Sequence, residues 1–264
     1  MRWIVFLLLS VITLYSILGR AYGVNLDRFA LVIGNQNYQV APLKNTLNDA
    51  EAISDAFFEL GFRVTTLTDA NSLTLRQGIN GFYEEVAKAA GSQKLAVVYY
   101  AGHAIQINHA NYLIPLNIQF ESEQEFVDQL YNLSHLFELM KSTNELQNIV
   151  ILDACRNNPF EGSGNVLVSQ GLAPVKAPSA TLIAFATEPG GIALDGRSDN
   201  GVYTKHLLKY ISESISIEEV FKKVRSAVAK ETRNRQIPWE HSSLLGEVYF
   251  SPPKNKEVPN IVVF

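Results

Sequence analysis

The sequence predicts one α/β domain, a sheet of about six mostly parallel strands with helices on both faces. Two patterns and one absence predict it. Short, uninterrupted apolar runs of strand length recur along the chain, as strands covered on both faces require. Between them lie stretches with apolar residues at i, i+3, i+4 and i+7, the stripe of a helix packed on a sheet. No internal repeat or linker divides the 264 residues, a length that one α/β domain accommodates.

Phe29 to Ile33 is the first apolar run and stops at Gly34. Ile53, Ala56, Phe57 and Leu60 follow at helical spacing, and Gly61 supplies the C-terminal stop. Phe62 to Leu67 is the second strand, Leu75, Ile79, Phe82 and Val86 form a second helical stripe, and Leu95 to Tyr100 is the third strand. This alternation implies a parallel sheet with right-handed crossovers. Ala104 to Pro115 alternates polar and apolar residues as a short hairpin does. Phe126, Leu130, Leu133, Phe137 and Met140 suit one helix face, unless Asn132-Leu133-Ser134 breaks the stretch and Ser134 caps a shorter helix. Ile149 to Leu152 is the fourth strand and Ala180 to Ala186 the fifth, separated by a Gly- and Pro-containing loop from about Asn157 to Pro178. Val202 to Ile211 and Glu218 to Val228 read as helices, the second introduced by a Ser216-x-x-Glu219 capping box. Leu244 to Phe250 is the sixth strand, ended by Pro252-Pro253.

Composition narrows the function classes. Apolar residues make up 47% and charged residues 18%, which excludes a disordered chain. A net charge of −4 gives no broad field for a polyanion, so no nucleic-acid partner is expected. The basic residues of the last helix, Lys222, Lys223, Arg225 and Lys230 among them, read as a solvated face. Cys155 stands alone, which excludes an intrachain disulfide and a Cys-rich zinc site. Arg2 precedes a charge-free stretch from Trp3 to Gly19, followed by Arg20-Ala21-Tyr22-Gly23. Residues 1–23 therefore read as a secretory signal, with an uncleaved anchor as the alternative. The protein is expected to be exported, periplasmic or secreted, and to meet a membrane only if that segment stays attached. The domain itself is expected over 28–250, followed by a tail over 251–264.

His103 stands just past the third strand and Cys155 just past the fourth. Ligands bind at the carboxyl ends of strands in open parallel sheets, so neighbouring strands would bring the two residues to one rim. A thiol beside an imidazole is what nucleophilic catalysis requires, the imidazole moving a proton while the thiolate attacks a carbonyl. A lone cysteine after an apolar strand is otherwise a small buried hydrophobe, and a lone histidine a structural residue; their joint placement is what favours chemistry. A metal site built on His103, His109 and Asp153 lacks helical ligand spacing, and no metal is expected. No Gly-x-Ser-x-Gly elbow, P-loop or dinucleotide pattern is present.

Tyr100-Ala101-Gly102-His103-Ala104 and Asp153-Ala154-Cys155-Arg156 resemble the histidine and nucleophile segments of caspase-like cysteine peptidases, of the bacterial metacaspase and orthocaspase kind. Four further stretches agree in order: Ala30 to Asn35 with Leu43 to Gly61, Asn111 to Pro115, Ala186 to Gly190, and Gly201 to Thr204. The resemblance implies a caspase-like three-layer sandwich and a cysteine endopeptidase in which Cys155 is the nucleophile and His103 its proton-transfer partner. Backbone N–H groups of Ala104 and Cys155 would hold the oxyanion. Asp153 would select Arg or Lys before the scissile bond, since a guanidinium donates two parallel hydrogen bonds to a carboxylate. Thr187 to Asp195 would wall the cleft, with Thr187 and Asp195 as substrate contacts and Asp199 a lesser candidate.

No cofactor is implied, and calcium dependence is left open. Three positions depart from the resemblance. Ala104 replaces a glycine, which is harmless at negative φ and strained at positive φ. His109 and Asn117 stand where a turn glycine and an acidic residue are expected, so a second carboxylate at the pocket rim is expected to be missing. A catalytically weak module that binds peptides is the competing function. Lys176, in the loop before the fifth strand, is a candidate for self-cleavage.

Overall fold

Strand β1 (Leu26–Gly34) shows how the sequence builds the sheet: Phe29, Leu31 and Ile33 enter one apolar cluster, Ala30 and Val32 the other. A continuous apolar run is thus two alternating half-runs, each buried under a different helical layer. A computed structural model describes residues 26–143, 146–155, 172–189, 191, 193–194 and 198–253. The N-terminal segment, Asp195, most of the loop between the fourth and fifth expected strands, and the end of the tail lie outside the described residues.

The strands are β1, β2 (Arg63–Thr68), β3 (Gln93–Ile107), β4 (Ala110–Leu113), β5 (Tyr131–Asn132), β6 (Leu146–Cys155), β7 (Thr181–Phe185) and β8 (Trp239–Ser242). The main sheet runs β2-β1-β3-β6-β7-β8, parallel throughout except for β8, which pairs antiparallel with β7. Helices α2 (Ser72–Lys88) and α4 (Leu133–Lys141) cover one face, through Leu75, Ile79, Leu136 and Met140. Helices α1 (Thr46–Glu59), α5 (Val202–Tyr210) and α6 (Ile217–Thr232) cover the other, through Ile53, Phe57, Leu207 and Val224. This is the expected three-layer α/β sandwich. Gly34 lets α1 come close: a Cβ there would meet the Thr46 carbonyl oxygen and the Ala50 Cβ at 2.6 Å.

The hairpin is present. β3 and β4 pair antiparallel around Asn108-His109, whose φ values of 49° and 64° are those of a two-residue primed turn. Asparagine tolerates that geometry and histidine less so, which gives a physical reason for the glycine that the resemblance puts at 109. The stretch around Asn132 does break, into α3 (Glu123–Gln129), β5 and α4, but the cap is Asn132, whose side chain accepts from the Ser134 N–H at 2.8 Å. Ser216 caps α6 by accepting from the Glu219 N–H at 3.3 Å, while Glu219 turns to Lys222. The box is therefore closed on one side only.

The sixth strand lies earlier than expected. Trp239–Ser242 forms β8, and residues 244–250 are irregular, with Val248 and Phe250 buried and the Val248 carbonyl accepting from the Ile217 N–H at 2.8 Å. Burial gave that segment the look of a strand, whereas the true edge strand is polar, as exposed edges tend to be. β3 and β6 also run past their expected ends at Tyr100 and Leu152, because backbone pairing continues where the apolar run stops.

Arg28 joins the two ends of the domain. Its guanidinium donates to the carbonyls of Leu60 at 2.8 Å, Tyr249 at 2.7 Å and Phe250 at 2.5 Å, and lies over the Phe62 ring at 4.3 Å. Burial lowers its pKa to about 10, so the group remains charged at neutral pH. Arg28→Met is expected to lower stability by about 2–3 kcal/mol, read as a lower urea midpoint. An unchanged midpoint would show that the C-terminal segment docks without it.

Candidate active site

The β3–β6 register pairs Ala101 with Asp153, Gly102 with Ala154 and His103 with Cys155. The two residues expected to do chemistry are thus direct partners on adjacent central strands, at the carboxyl end of β6. They lie inside the strands rather than just past them.

His103 is 3% exposed and fixed from several directions. Its backbone N–H donates to the Tyr38 hydroxyl at 3.0 Å, and its carbonyl accepts from the Ile114 N–H at 2.9 Å. Its Nε2 is 2.7 Å from the Ala41 carbonyl oxygen. A carbonyl only accepts, so Nε2 carries the hydrogen, and in the neutral ring the lone pair is on Nδ1. The Tyr38 ring packs on the imidazole with centroids 4.5 Å apart. Tyr100 completes the support, its hydroxyl 2.7 Å from the His103 carbonyl oxygen and 3.2 Å from the Tyr38 hydroxyl.

Gly102 is needed here. A Cβ at that position would come within 2.6 Å of the Tyr100 hydroxyl and 2.8 Å of the Tyr38 hydroxyl. The aromatic-small-Gly-His segment is therefore a packing unit: the missing side chain makes room for two phenols that hold the histidine backbone. Burial pushes the Tyr38 pKa up to about 12 and that of Tyr100 well above the ordinary value, so both are neutral hydroxyls at physiological pH.

Ala104 has negative φ and is unstrained. Hydrogen-bonded and open pairs alternate along an antiparallel ladder. The two-residue turn closes on Ile107 and Ala110, so Ala104 and Leu113 form an open pair and the Ala104 N–H points away from β4. That leaves it directed toward the β6 side.

Asp153 accepts at Oδ2 from the Thr204 hydroxyl at 2.7 Å, and Thr204 is in turn 2.5 Å from the Tyr99 hydroxyl. Since Thr204 gives its one hydrogen to the carboxylate, Tyr99 donates to Thr204. Burial first, then the charges of Asp153 and Asp49, raise the Tyr99 pKa well above the ordinary value. Tyr203 is raised by burial and by Asp153. Both carboxylates therefore lie within electrostatic reach of these phenols.

Asp49 is the residue that the sequence reading missed. It is 3% exposed, on α1, and accepts at Oδ1 from the Gly201 N–H at 3.0 Å and the Asn200 side chain at 2.9 Å. A Cβ on Gly201 would lie 3.2 Å from the Asp49 Oδ2 and 3.6 Å from the Asp153 Oδ2. Two carboxylates therefore flank one small space that a side chain at 201 would fill. A carboxylate on α1 thus lies near Asp153, whereas Asn117 occupies an exposed left-handed turn with φ of 60°. The signal was present: Asp49 is four residues before Ile53, an acid on the apolar stripe of α1.

The remaining candidates separate. Thr187 is buried and its hydroxyl donates to Glu188 at 2.9 Å. Asp199 is exposed, and its carbonyl accepts from Asn48 at 3.1 Å. His109 is exposed in the hairpin turn, away from His103, and among the described residues no group of three His, Cys, Asp or Glu converges as a metal site. Lys176 is exposed, but it sits in a segment anchored by Leu172 and Ala177 in the core and by Asn111, which exchanges hydrogen bonds of 2.9 and 2.7 Å with the Ala173 backbone.

A sequence model of the caspase domain matches residues 27–249. The chain belongs to the caspase-domain family. A protein named "probable protease" from a Desulfuromonadales bacterium is 31% identical over 125 residues, 42% of this chain and 14% of that protein's length. The caspase-like α/β fold expected of that family matches the sheet described above.

Within this caspase-like domain, Asp69 holds the loop that supports the histidine. Its carboxylate accepts from the backbone N–H groups of Gln36 at 2.8 Å and Asn37 at 3.0 Å and from the Asn37 side chain at 2.6 Å, next to Tyr38 and Ala41. Burial alone would raise its pKa, but these donors outweigh it and the net shift is downward. Its stabilisation is fully present above the ordinary carboxylate pKa of about 4 and is lost as pH falls through the lower folded value. Thermal melts across the acid range should therefore fall more steeply in the wild type than in Asp69→Asn. Equal slopes would mean that the carboxylate does not hold the loop.

Proposed function

We propose that the protein is a cysteine endopeptidase that hydrolyses peptide bonds after Arg or Lys through His103 and Cys155. The observation that carries this reading is the pair of carboxylates, Asp49 and Asp153, around the space beside Gly201, with Asp153 two residues before Cys155 on β6. A guanidinium or ammonium entering there would meet two negative charges in a partly desolvated site, where charge-assisted hydrogen bonds are strong.

In this mechanism the Cys155 thiol loses its proton to Nδ1 of His103, and the thiolate sulfur attacks the carbonyl carbon of the bound residue. The C=O electron pair moves to oxygen, and the oxyanion is held by the backbone N–H groups of Ala104 and Cys155. As the C–N bond breaks, the imidazolium gives its proton to the departing amine, leaving a thioester. His103 then takes a proton from water, the hydroxide displaces sulfur, and the acid leaves as the proton returns to the thiolate. The Ala41 carbonyl supports both steps by keeping Nε2 protonated and Nδ1 available. No cofactor enters these steps.

Thr187 and Asp195 are substrate contacts in this reading, and the substrates are peptides or proteins and not nucleic acids. The charge-free stretch after Arg2 supports export to the periplasm or beyond, with membrane attachment only if that stretch is retained. The unstrained Ala104 favours catalysis over a binding-only module.

Hydrolysis of fluorogenic peptides with Arg, Lys or Asp before the reporter tests the reading. Arg and Lys peptides should be cleaved and Asp peptides not, and Cys155→Ala and His103→Ala should each lose about a thousandfold or more in kcat/KM. Activity that survives Cys155→Ala, or a preference for Asp, would overturn the assignment. Asp49→Asn and Asp153→Asn should each cost about 10- to 100-fold in kcat/KM for Arg peptides. Gly201 has φ of −56° and tolerates alanine conformationally, so Gly201→Ala should raise KM for basic peptides while the fold stays intact. An unchanged KM would place the cationic side chain elsewhere.

A further inference from the structure

Helix α6 ends in an unusual way. Thr232 is buried and its hydroxyl bonds back to the Val228 carbonyl at 2.8 Å, after which Arg233 and Asn234 both adopt left-handed backbone, with φ of 54° and 59°. The chain reverses and delivers Gln236 into the interior, 0% exposed. Its backbone N–H is fixed to the Thr232 hydroxyl at 3.2 Å. The side-chain amide then uses both ends: Nε2 donates to the Ala186 carbonyl at 2.9 Å, and Oε1 accepts from the Leu194 N–H at 3.0 Å.

Those two backbone groups are the two ends of the cleft wall. Ala186 follows β7, and its N–H donates to the Leu152 carbonyl at 3.0 Å, one residue before Asp153. The Leu194 carbonyl accepts from the Val202 N–H at 3.3 Å, at the start of α5, two residues before Thr204, which holds Asp153. A second tie runs beside the first, the Ile237 N–H donating to the Glu188 carboxylate at 3.0 Å. Gln236 thus ties the segment bonded to the strand of Asp153 to the segment bonded to the helix of Thr204.

We propose that Gln236 is a positioning residue that sets the separation of the Leu152–Asp153 strand end from the α5 start, and through it the affinity of the pocket for a cationic side chain. The inference rests on the pocket reading given above. A buried primary amide suits the task because it supplies one donor and one acceptor in a fixed plane, and few other side chains of that size do. Loss of the amide would leave the buried Ala186 carbonyl and the part-buried Leu194 N–H unsatisfied, and the loop would move to recover its hydrogen bonds. His103 is held by β3 and the Tyr38 loop, and Gln236 by Ala186, Leu194 and Thr232, so the reactivity of the Cys155 thiol should be independent of the clamp.

Benzamidine is the probe, since it presents an arginine-like amidinium without requiring turnover. In Gln236→Met, calorimetry should show benzamidine binding weakened by about tenfold or more, and KM for Arg peptides should rise more than kcat falls. The Leu194 amide should exchange faster with deuterium, while the rate of Cys155 alkylation by iodoacetamide stays at the wild-type value. Gln236→Glu keeps the volume and the acceptor for Leu194 but loses the donor for Ala186, and should show a smaller loss of the same kind. It also serves as the test if the Met variant fails to fold. Wild-type benzamidine affinity in a folded variant would overturn the inference alone. A wild-type protein that binds no benzamidine would overturn the pocket reading and this inference together.

Discussion

The pairing of β3 with β6 governs the rest of the molecule. Both strands carry a buried apolar segment that ends at Tyr100 and Leu152, yet the hydrogen-bonded register continues for three more pairs. A one-residue slip would move every side chain on a strand to the opposite face. The register is protected against such a slip by the two apolar clusters, which take alternate residues of β3: Val98 and Tyr100 on one side, Tyr99 and Ala101 on the other. The core therefore fixes, at a distance, which residues meet at the polar ends of the strands.

Above that point the site is held by polar contacts more than by apolar packing. Tyr38 and Tyr100 meet at the Ile114 carbonyl, and Asn35 binds Ala70 and Ile114, so three loops converge on the histidine. On the opposite face of the sheet, Tyr99, Thr204 and Asp153 form a directed chain of hydroxyls ending on a carboxylate. Buried networks of this kind rigidify when every member is satisfied, and they specify one arrangement of the backbone. Gln236 extends the same principle to the segment between β7 and α5.

Much of this was legible in the residues. Apolar runs and helical stripes located the strands and helices because each element is buried on a regular period. The edge strand was misplaced because periodicity reports burial, and the buried irregular segment around Val248 and Phe250 imitates a strand, whereas polar Trp239–Ser242 does not. The juxtaposition of His103 and Cys155 was legible because each follows an apolar run in a short motif. Asp49 was readable only as a misfit on an apolar stripe, and Gln236 not at all, since it lies in a loop with no periodic signal and meets its partners some 40 to 50 residues away in sequence. Long-range hydrogen bonds of this kind leave no local pattern.

The most direct test of the central pairing is the rate of Cys155 alkylation as a function of pH, which the single cysteine makes unambiguous. Partnership with His103 predicts a thiolate that forms well below the free-cysteine pKa of about 8.5, and a return toward that value in His103→Ala. A profile with the free-cysteine midpoint in the wild type, unchanged by His103→Ala, would contradict it.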